Sequence, residues 1–194
     1  GISIKESSKL KKCLEQADYI LCTDLGKEIA DFITVSENHK EVCFIHCKAG
    51  NSQLSASAFQ EVCGQVNKNL DYVHNAIDKM PSGLETLDSH RKIWSVKNYG
   101  VSIDRKLVNK NNLKAVEIWA KLKEVQSDPN STTNVIAFVG DLFDIDSYYN
   151  ETKKELQHQS AEKIQIDYLL METAFAVSRA NAKFLLSFTT KDRV

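Results

Sequence analysis

Three short β-rich runs near the start of the 194-residue chain constrain its fold more than any other feature. The runs are YILC at residues 19–22, EIADFITV at 28–35 and EVCFIHCK at 41–48. Two turn-forming segments, TDLGK and SENHK, separate them, and β-branched and aromatic residues in runs of this length favour strands. Because connections this short leave consecutive strands side by side, the sequence predicts a three-stranded meander.

Amphipathic helices and two further strands are predicted around this meander. Apolar residues recur at helical spacing in residues 3–17, 54–80, 113–126, 146–159 and 161–182. Apolar runs at 134–140 and 183–190 indicate strands, whereas residues 84–112 have no legible pattern. In the helix at 54–80, the expected buried stripe is Phe59, Val62, Cys63, Val66, Leu70, Val73 and Ile77. This order of elements predicts an α/β (α+β) fold.

The charge of the chain is balanced overall but not locally. The net charge of −1 creates no global field toward nucleic acid or a membrane. Residues 91–114, however, contain seven Lys or Arg residues and one Asp, and Trp94 and Tyr99 lie among them. Such a basic segment can follow a phosphate backbone, but a charge run is also common on a solvated face. The sequence leaves both interpretations open.

The five cysteines have irregular spacing and form no CxxC motif. This usage is typical of reduced, intracellular thiols rather than of a disulfide framework. Cys43 and Cys47 share a strand face, but two thiols alone make a poor zinc site. No apolar run is long enough to span a membrane, so we expect a cytoplasmic protein.

Ionisable side chains interrupt two of the apolar strands: Asp31 lies in the second run, and His46 and Lys48 lie in the third. Buried charges are costly without a partner or a metal, so these groups either neutralise one another or form an active site. Alternate residues of a strand share a face, which places His46 and Lys48 together. Asp31 can face the same side if the two strands pair across SENHK. On the next helix, Glu61 and Gln65 lie four residues apart and stack on one edge.

This combination suits the metal-dependent hydrolysis of a phosphodiester. A carboxylate supplies the oxygen ligand that Mg²⁺ prefers, and the metal lowers the pKa of a bound water and neutralises charge at phosphorus. A lysine beside the metal can orient or deprotonate that water and stabilise the transition state. This division of work requires an acid and a lysine on adjacent strands.

The chain resembles the PD-(D/E)XK, or restriction-endonuclease-like, nuclease superfamily. The similarity is to members in which a D-x-G-x-E-x-A-D-F-I strand precedes I-H-x-K and a helix with E-V-x-x-Q. The matching residues are Asp24, Gly26, Glu28, Ala30, Asp31, Phe32 and Ile33, then Ile45, His46 and Lys48, then Glu61, Val62 and Gln65. The resemblance covers roughly residues 5–78, and residues 135–140 are the expected fourth core strand.

The resemblance implies a restriction-endonuclease-like core, with a mixed central sheet flanked by helices, in a single domain over residues 1–194. The core would comprise residues 5–78 and 134–190, with a variable basic insert at about 84–130. The first residue, Gly1, is consistent with excision from a larger protein.

The resemblance also assigns roles by position. Asp31 is the implied metal-binding acid and Lys48 the catalytic lysine, while Glu61 replaces the acid missing from the third strand. Gln65 resembles the helix glutamine of the recombination-type nucleases, and Glu28 is the alternative metal ligand. The implied cofactor is Mg²⁺ or Mn²⁺.

The implied substrate is DNA, with RNA left open, and members of this type recur in bacterial defence and restriction systems. The expected nucleic-acid contacts are Arg91, Lys92, Arg105 and Lys106. A helicase or sensor partner and a homo-oligomer are also open.

The chain departs from the family pattern at His46, where the family has Glu or Asp two residues before the lysine. Imidazole can bind a metal but brings no negative charge, and Mg²⁺ prefers oxygen. Activity therefore depends on Glu61 or Glu28. By alternation Glu28 lies opposite to Asp31, which favours Glu61. The alternatives are an inactive nuclease-like fold that binds nucleic acid or protein, and an unrelated α/β structural domain.

Overall fold

Short strands and helices alternate along the chain in the computed structural model, which describes residues 2–3, 9–25, 29–49, 55–77, 79–96, 100–140, 145–188 and 190–191. The strands within these ranges are β1 (Ile2–Ser3), β2 (Tyr19–Cys22), β3 (Phe32–Ser36), β4 (Glu41–Cys47), β5 (Ile93–Val96), β6 (Val101–Asp104), β7 (Lys106–Asn109), β8 (Thr132–Phe138), β9 (Lys183–Ser187) and β10 (Thr190–Lys191). The helices are α1 (Lys9–Glu15), α2 (Ala56–Lys68), α3 (Leu70–Val73), α4 (Ala115–Ser127), α5 (Ile145–Thr152) and α6 (Ala161–Arg179), with 3-10 turns at Leu84–Asp88 and Leu156–His158.

The predicted meander forms the centre of a six-stranded mixed sheet, in the order β7-β2-β3-β4-β8-β9. The pairs β7–β2, β2–β3 and β3–β4 are antiparallel, whereas β8 pairs in parallel with β4 and with β9. The long connections from β4 to β8 and from β8 to β9 carry the helices that parallel pairing requires. The predicted mixed α/β fold is confirmed.

The two faces of the sheet are covered unequally. One face, which includes Phe44 and Val135, packs against α2, α4 and α6 in the larger core clusters. The opposite face, which includes Cys43 and Ile45, packs against α1 through Leu10 and Cys13. No helix within the described ranges is long and apolar enough to cross a membrane.

The long helix predicted at residues 54–80 is shorter in the structure. Helix α2 ends at Lys68, because the Asn69 N–H donates to the Val66 carbonyl and its side chain donates to the Gln65 carbonyl. A single turn, α3, follows, so the expected buried stripe continues through Val73 but not to Ile77, which is 38% exposed. The prediction of Ile77 as a buried residue is therefore wrong.

The described part of residues 84–112, which shows no clear helix or strand pattern in the sequence, forms a 3-10 turn, the antiparallel strand pair β5 and β6, and strand β7, which pairs with β2 at one edge of the main sheet. Asp88 fixes this segment, since its carboxylate accepts hydrogen bonds from Lys106 Nζ at 2.7 Å and from the Ala115 N–H at 2.8 Å. Helix α4 then contributes Ile118 and Leu122 to the largest core cluster. The segment predicted as a variable insert thus supplies an edge strand and a core helix.

Candidate functional site

The ends of β3 and β4 bring Asp31 and His46 beside each other. The register that pairs Phe32 with Ile45 places Asp31, one residue before β3, next to His46. The Asp31 N–H donates to the Ile45 carbonyl at 3.0 Å, and its carboxylate Oδ2 accepts from the Cys47 N–H at 2.6 Å. The backbone of one strand therefore fixes the position of the acid on the other.

Lys48 and Glu61 come together from β4 and α2. The Lys48 N–H donates to the Phe138 carbonyl of β8 at 2.8 Å, which holds the residue in line with its strand. Lys48 Nζ donates to Glu61 Oε1 at 2.5 Å, and the two side chains are 30% and 56% exposed. Because both side chains are partly exposed, the ion pair stabilises the fold little, and both charged groups can reach solvent. The predicted proximity of these two residues is observed.

Asp31 is held in an environment that opposes its ionisation. Burial raises the pKa of its carboxyl group, and the nearby Asp24 carboxylate raises it further. The Cys47 N–H and the charge of Lys48 act in the opposite direction without cancelling the effect of burial. A half-buried carboxylate of this kind gains from a bound cation, which would offset the cost of its charge.

His46 is more deeply buried, at 3% exposure. Burial lowers the pKa of its imidazole to about 4, so the ring is neutral at physiological pH. A neutral ring supplies no charge to balance a metal or a phosphate. The residue therefore does not replace, in charge, the acid that the family pattern has at this position.

The buried His46 predicts a specific loss of stability in acid. The imidazole protonates near pH 6.5 in the unfolded chain but near pH 4 in the folded one, so stability falls as the pH drops through this window. The protonation of His46 is expected to lower the free energy of unfolding by about 3 kcal/mol across this window. Urea unfolding of the wild type and of His46→Gln between pH 7 and pH 4 should show a shallower pH dependence for the variant. His39→Gln, in an exposed turn, should keep the wild-type slope. Equal slopes for wild type and His46→Gln would contradict the buried neutral ring.

The remaining predicted site residues are less well defined. The Gln65 side chain is half-buried on α2, and none of the described residues makes a hydrogen bond to its amide group. Glu28 lies outside the described residues. Its role as alternative metal ligand stays a prediction.

Acid partners hold much of the basic segment. Lys106 Nζ pairs with Asp88 at 2.7 Å, and Lys92 pairs with Asp104 at 3.5 Å. The guanidinium of Arg105 donates to Cys22 Sγ at 3.4 Å, and Arg91 donates to the Leu25 carbonyl at the same distance. Lys106 and Arg105 are half-buried, whereas Arg91 and Lys92 are exposed. The exposed pair is therefore better placed to meet a phosphate than the half-buried pair.

One cluster of buried side chains was not predicted from the sequence. Cys13, Glu41 and Cys43 are all buried, and their side-chain donor atoms lie within 4.8 Å of one another. No other group of three His, Cys, Asp or Glu residues meets this criterion in the part of the chain that the structure describes. Cys13 occupies the apolar stripe of α1, which was a signal for its burial. Its proximity to Cys43, 30 positions later, has no local signature.

Comparison with known proteins places the chain in no family: no family model, no curated protein and no solved structure matches it.

Proposed function

We propose that the protein is a metal-dependent phosphodiester hydrolase, an endonuclease that cuts DNA. The observation that carries this proposal is the ion pair of Lys48 with Glu61 at the end of β4, next to the Cys47 N–H that binds the Asp31 carboxylate. Asp31 lies beside the end of β4, and Lys48 extends from that end to Glu61 on α2. An acid, a lysine and a second acid therefore lie around the same end of β4.

The order of elements supports the same proposal. Helix α1, the β2-β3-β4 meander, helix α2 and strand β8 follow one another in the order that the resemblance implies, and β8 lies beside β4. The proposed acid precedes the second strand of the meander, and the lysine follows the third. Both groups therefore lie at the same end of the two strands, as the proposed chemistry requires.

The carboxylate oxygens at this end of the strands suit a hard divalent cation. Mg²⁺ is commonly held by one or two carboxylates, with waters and substrate phosphates as its other ligands, and Asp31 and Glu61 supply two carboxylates. When bound there, the metal would activate a water and neutralise charge at phosphorus.

The chain's own residues account for the rest of the mechanism. Asp31 is positioned by the Cys47 N–H and would hold the cation. Lys48 would leave Glu61 to donate to a non-bridging phosphate oxygen, where its charge stabilises the transition state. His46, buried and neutral, would form an uncharged wall beside Asp31 and strengthen the local electrostatic interactions.

A second candidate, an inactive nuclease-like module that binds nucleic acid or protein, is favoured by two observations. The ammonium group of Lys48 is already paired with Glu61. The position normally held by an acid carries a neutral His46. In this case Arg91 and Lys92 would contribute to binding while no cleavage occurs.

The location and partners proposed for the protein follow from this function. The five cysteines are free thiols, which suits a cytoplasmic protein. DNA is the proposed substrate in a defence or restriction setting, with a helicase or sensor as the companion protein. RNA is a second substrate in the assay below, and a homo-oligomer stays a prediction.

The test is the nicking of supercoiled plasmid by the purified chain with Mg²⁺ or Mn²⁺, compared with the same reaction in EDTA. Lys48→Ala should lower the cleavage rate by about 10²–10³-fold, because it removes a cation that stabilises the transition state. Lys68→Ala, an exposed change on α2, the helix that carries Glu61, should leave the rate unchanged. The melting temperature of Lys48→Ala should stay close to that of the wild type, since the ion pair that it breaks is largely exposed.

The outcomes separate the two candidates. Wild-type turnover by Lys48→Ala would remove the lysine from the mechanism. Tight DNA binding by the wild type, with no metal-dependent cleavage of DNA or RNA, would favour the inactive module.

A further inference from the structure

The buried cluster of Cys13, Glu41 and Cys43 lies on the opposite face of the sheet from Lys48. Cys43 and Glu41 point from β4 toward α1, since alternate residues of the strand share this face. Lys9 and Cys13 lie one helical turn apart on α1 and both reach down to them. A helix and a strand therefore build the cluster jointly, which makes it a property of the folded chain.

One distance within the cluster already suits a single ion, and a second would have to lengthen. Cys13 Sγ donates to Glu41 Oε2 at 3.6 Å, close to the separation of roughly 3.5 Å between a sulfur and an oxygen ligand of one tetrahedral zinc. The two sulfur atoms lie 2.8 Å apart, in hydrogen-bonding contact. They would separate by about 1 Å to accept an ion at the usual zinc–sulfur distance.

The remaining neighbours orient the donors. Glu41 Oε1 forms an ion pair with Lys9 and accepts from Asn134 Nδ2 at 2.8 Å, which leaves Oε2 directed at the thiols. Asn134 lies opposite Cys43 in the parallel register of β4 and β8. Outer partners of this kind hold metal ligands in place.

The charges also balance. Two thiolates and a carboxylate, together with Lys9 and a divalent cation, sum to zero net charge. The desolvation cost of burying several ionised groups is offset only when opposite charges neutralise them in this way.

We propose that Cys13, Glu41 and Cys43 form a binding site for a thiophilic divalent cation of the zinc class, which fastens α1 to the sheet. Two sulfur ligands favour zinc over Mg²⁺, so this site is distinct from the one proposed at Asp31. Three protein ligands leave the fourth position of a tetrahedral ion to water.

The site is tested on the full chain, purified with a phosphine reductant and stripped of metal with a chelator. Titration with Co²⁺ should saturate at one equivalent and produce a thiolate-to-cobalt charge-transfer band together with the visible bands of a tetrahedral ion. Zn²⁺ should abolish these bands by displacement. Zinc at 100 times its dissociation constant should also raise the melting temperature by about 5–10 °C.

Variants assign the ligands. Cys13→Ser, Cys43→Ser and Glu41→Gln should each weaken Co²⁺ affinity by at least about tenfold. The matched control is Cys63→Ser, a buried cysteine on α2, which should retain the full signal. If the serine variants fail to fold, the wild-type spectrum and Glu41→Gln still decide the question.

Two results would overturn the proposal. One is the absence of a thiolate band in folded wild-type protein. The other is a thiol titration of the denatured chain, isolated without reductant, that finds three free thiols instead of five and no bound metal, together with a peptide map that joins Cys13 to Cys43 in a disulfide.

Discussion

Asp31→Asn is expected to lower Mg²⁺-dependent DNA cleavage by at least about 10³-fold, while the protein becomes as stable as the wild type or more stable at pH 7. The loss of activity follows because the carboxylate would hold the cation, and several kcal/mol of metal assistance correspond to about three orders of magnitude in rate. The gain in stability follows from burial, which raises the pKa of Asp31 in the folded chain. The amide retains an oxygen that can accept the Cys47 N–H.

The sign of the stability effect can be checked against pH. A carboxyl group with a raised folded-state pKa favours the folded state at low pH, and this contribution is lost as the pH rises through the folded pKa. The difference in unfolding free energy between Asp31→Asn and wild type should therefore shrink as the pH falls. Asp71→Asn, in an exposed ion pair on α3, should change neither cleavage nor this pH dependence.

Two results would contradict this account. Retained cleavage by Asp31→Asn would remove the acid from the active site. A large destabilisation with unchanged cleavage per folded molecule would make Asp31 a structural residue that fixes the ends of β3 and β4. Circular dichroism and single-turnover cleavage on the same preparations distinguish the two results.

The strands that surround the site could be predicted because their signals are local. β-branched and aromatic residues are frequent in β3 and β4. The short turn-forming segment SENHK between them favours antiparallel pairing. Once that pairing is accepted, the alternation of side chains places His46 and Lys48 on one face. The contact between Lys48 and Glu61 then requires only that α2 packs on that face.

The features that escaped prediction depend on distant residues. Strand β7 has the sequence KLVN, which is too polar and short to indicate a strand, and it forms because β2 offers it an edge. The end of α2 depends on Asn69, a residue that the helical pattern alone does not mark as a cap. The cluster of Cys13 with Glu41 and Cys43 exists only after α1 packs on the sheet, so neither spacing nor composition could reveal it.

Substitution of Glu61, the carboxylate on α2, is expected to have the second large effect on cleavage, and substitution of His46 a smaller one. Glu61→Ala is expected to lower cleavage by about 10²–10³-fold, because Asp31 would then be the one proposed metal ligand left among the described residues. His46→Ala should lower cleavage only about tenfold, since the neutral ring supplies no charge. Glu61→Gln separates two roles of the residue, because Gln can still accept from Lys48 but cannot neutralise a cation.

His46→Glu tests the same idea by adding charge. The change creates the acid-x-Lys pattern, so Mg²⁺-dependent cleavage should be kept or raised, and Glu61→Ala should be less damaging in this background. The new carboxylate would lie buried beside Asp31, and burial and like charge should destabilise the metal-free variant. Mg²⁺ should then raise its melting temperature more than that of the wild type.

A double-mutant cycle over the two positions measures this coupling directly. Cleavage rates for wild type, His46→Glu, Glu61→Ala and the double variant should show that either acid partly replaces the other. The opposite order, with His46→Ala inactive and Glu61→Ala silent, would mean that His46 itself binds the metal or acts as the general base. In that event Glu61 would be a surface partner of Lys48, and the buried imidazole would have to gain access to solvent or substrate during the reaction.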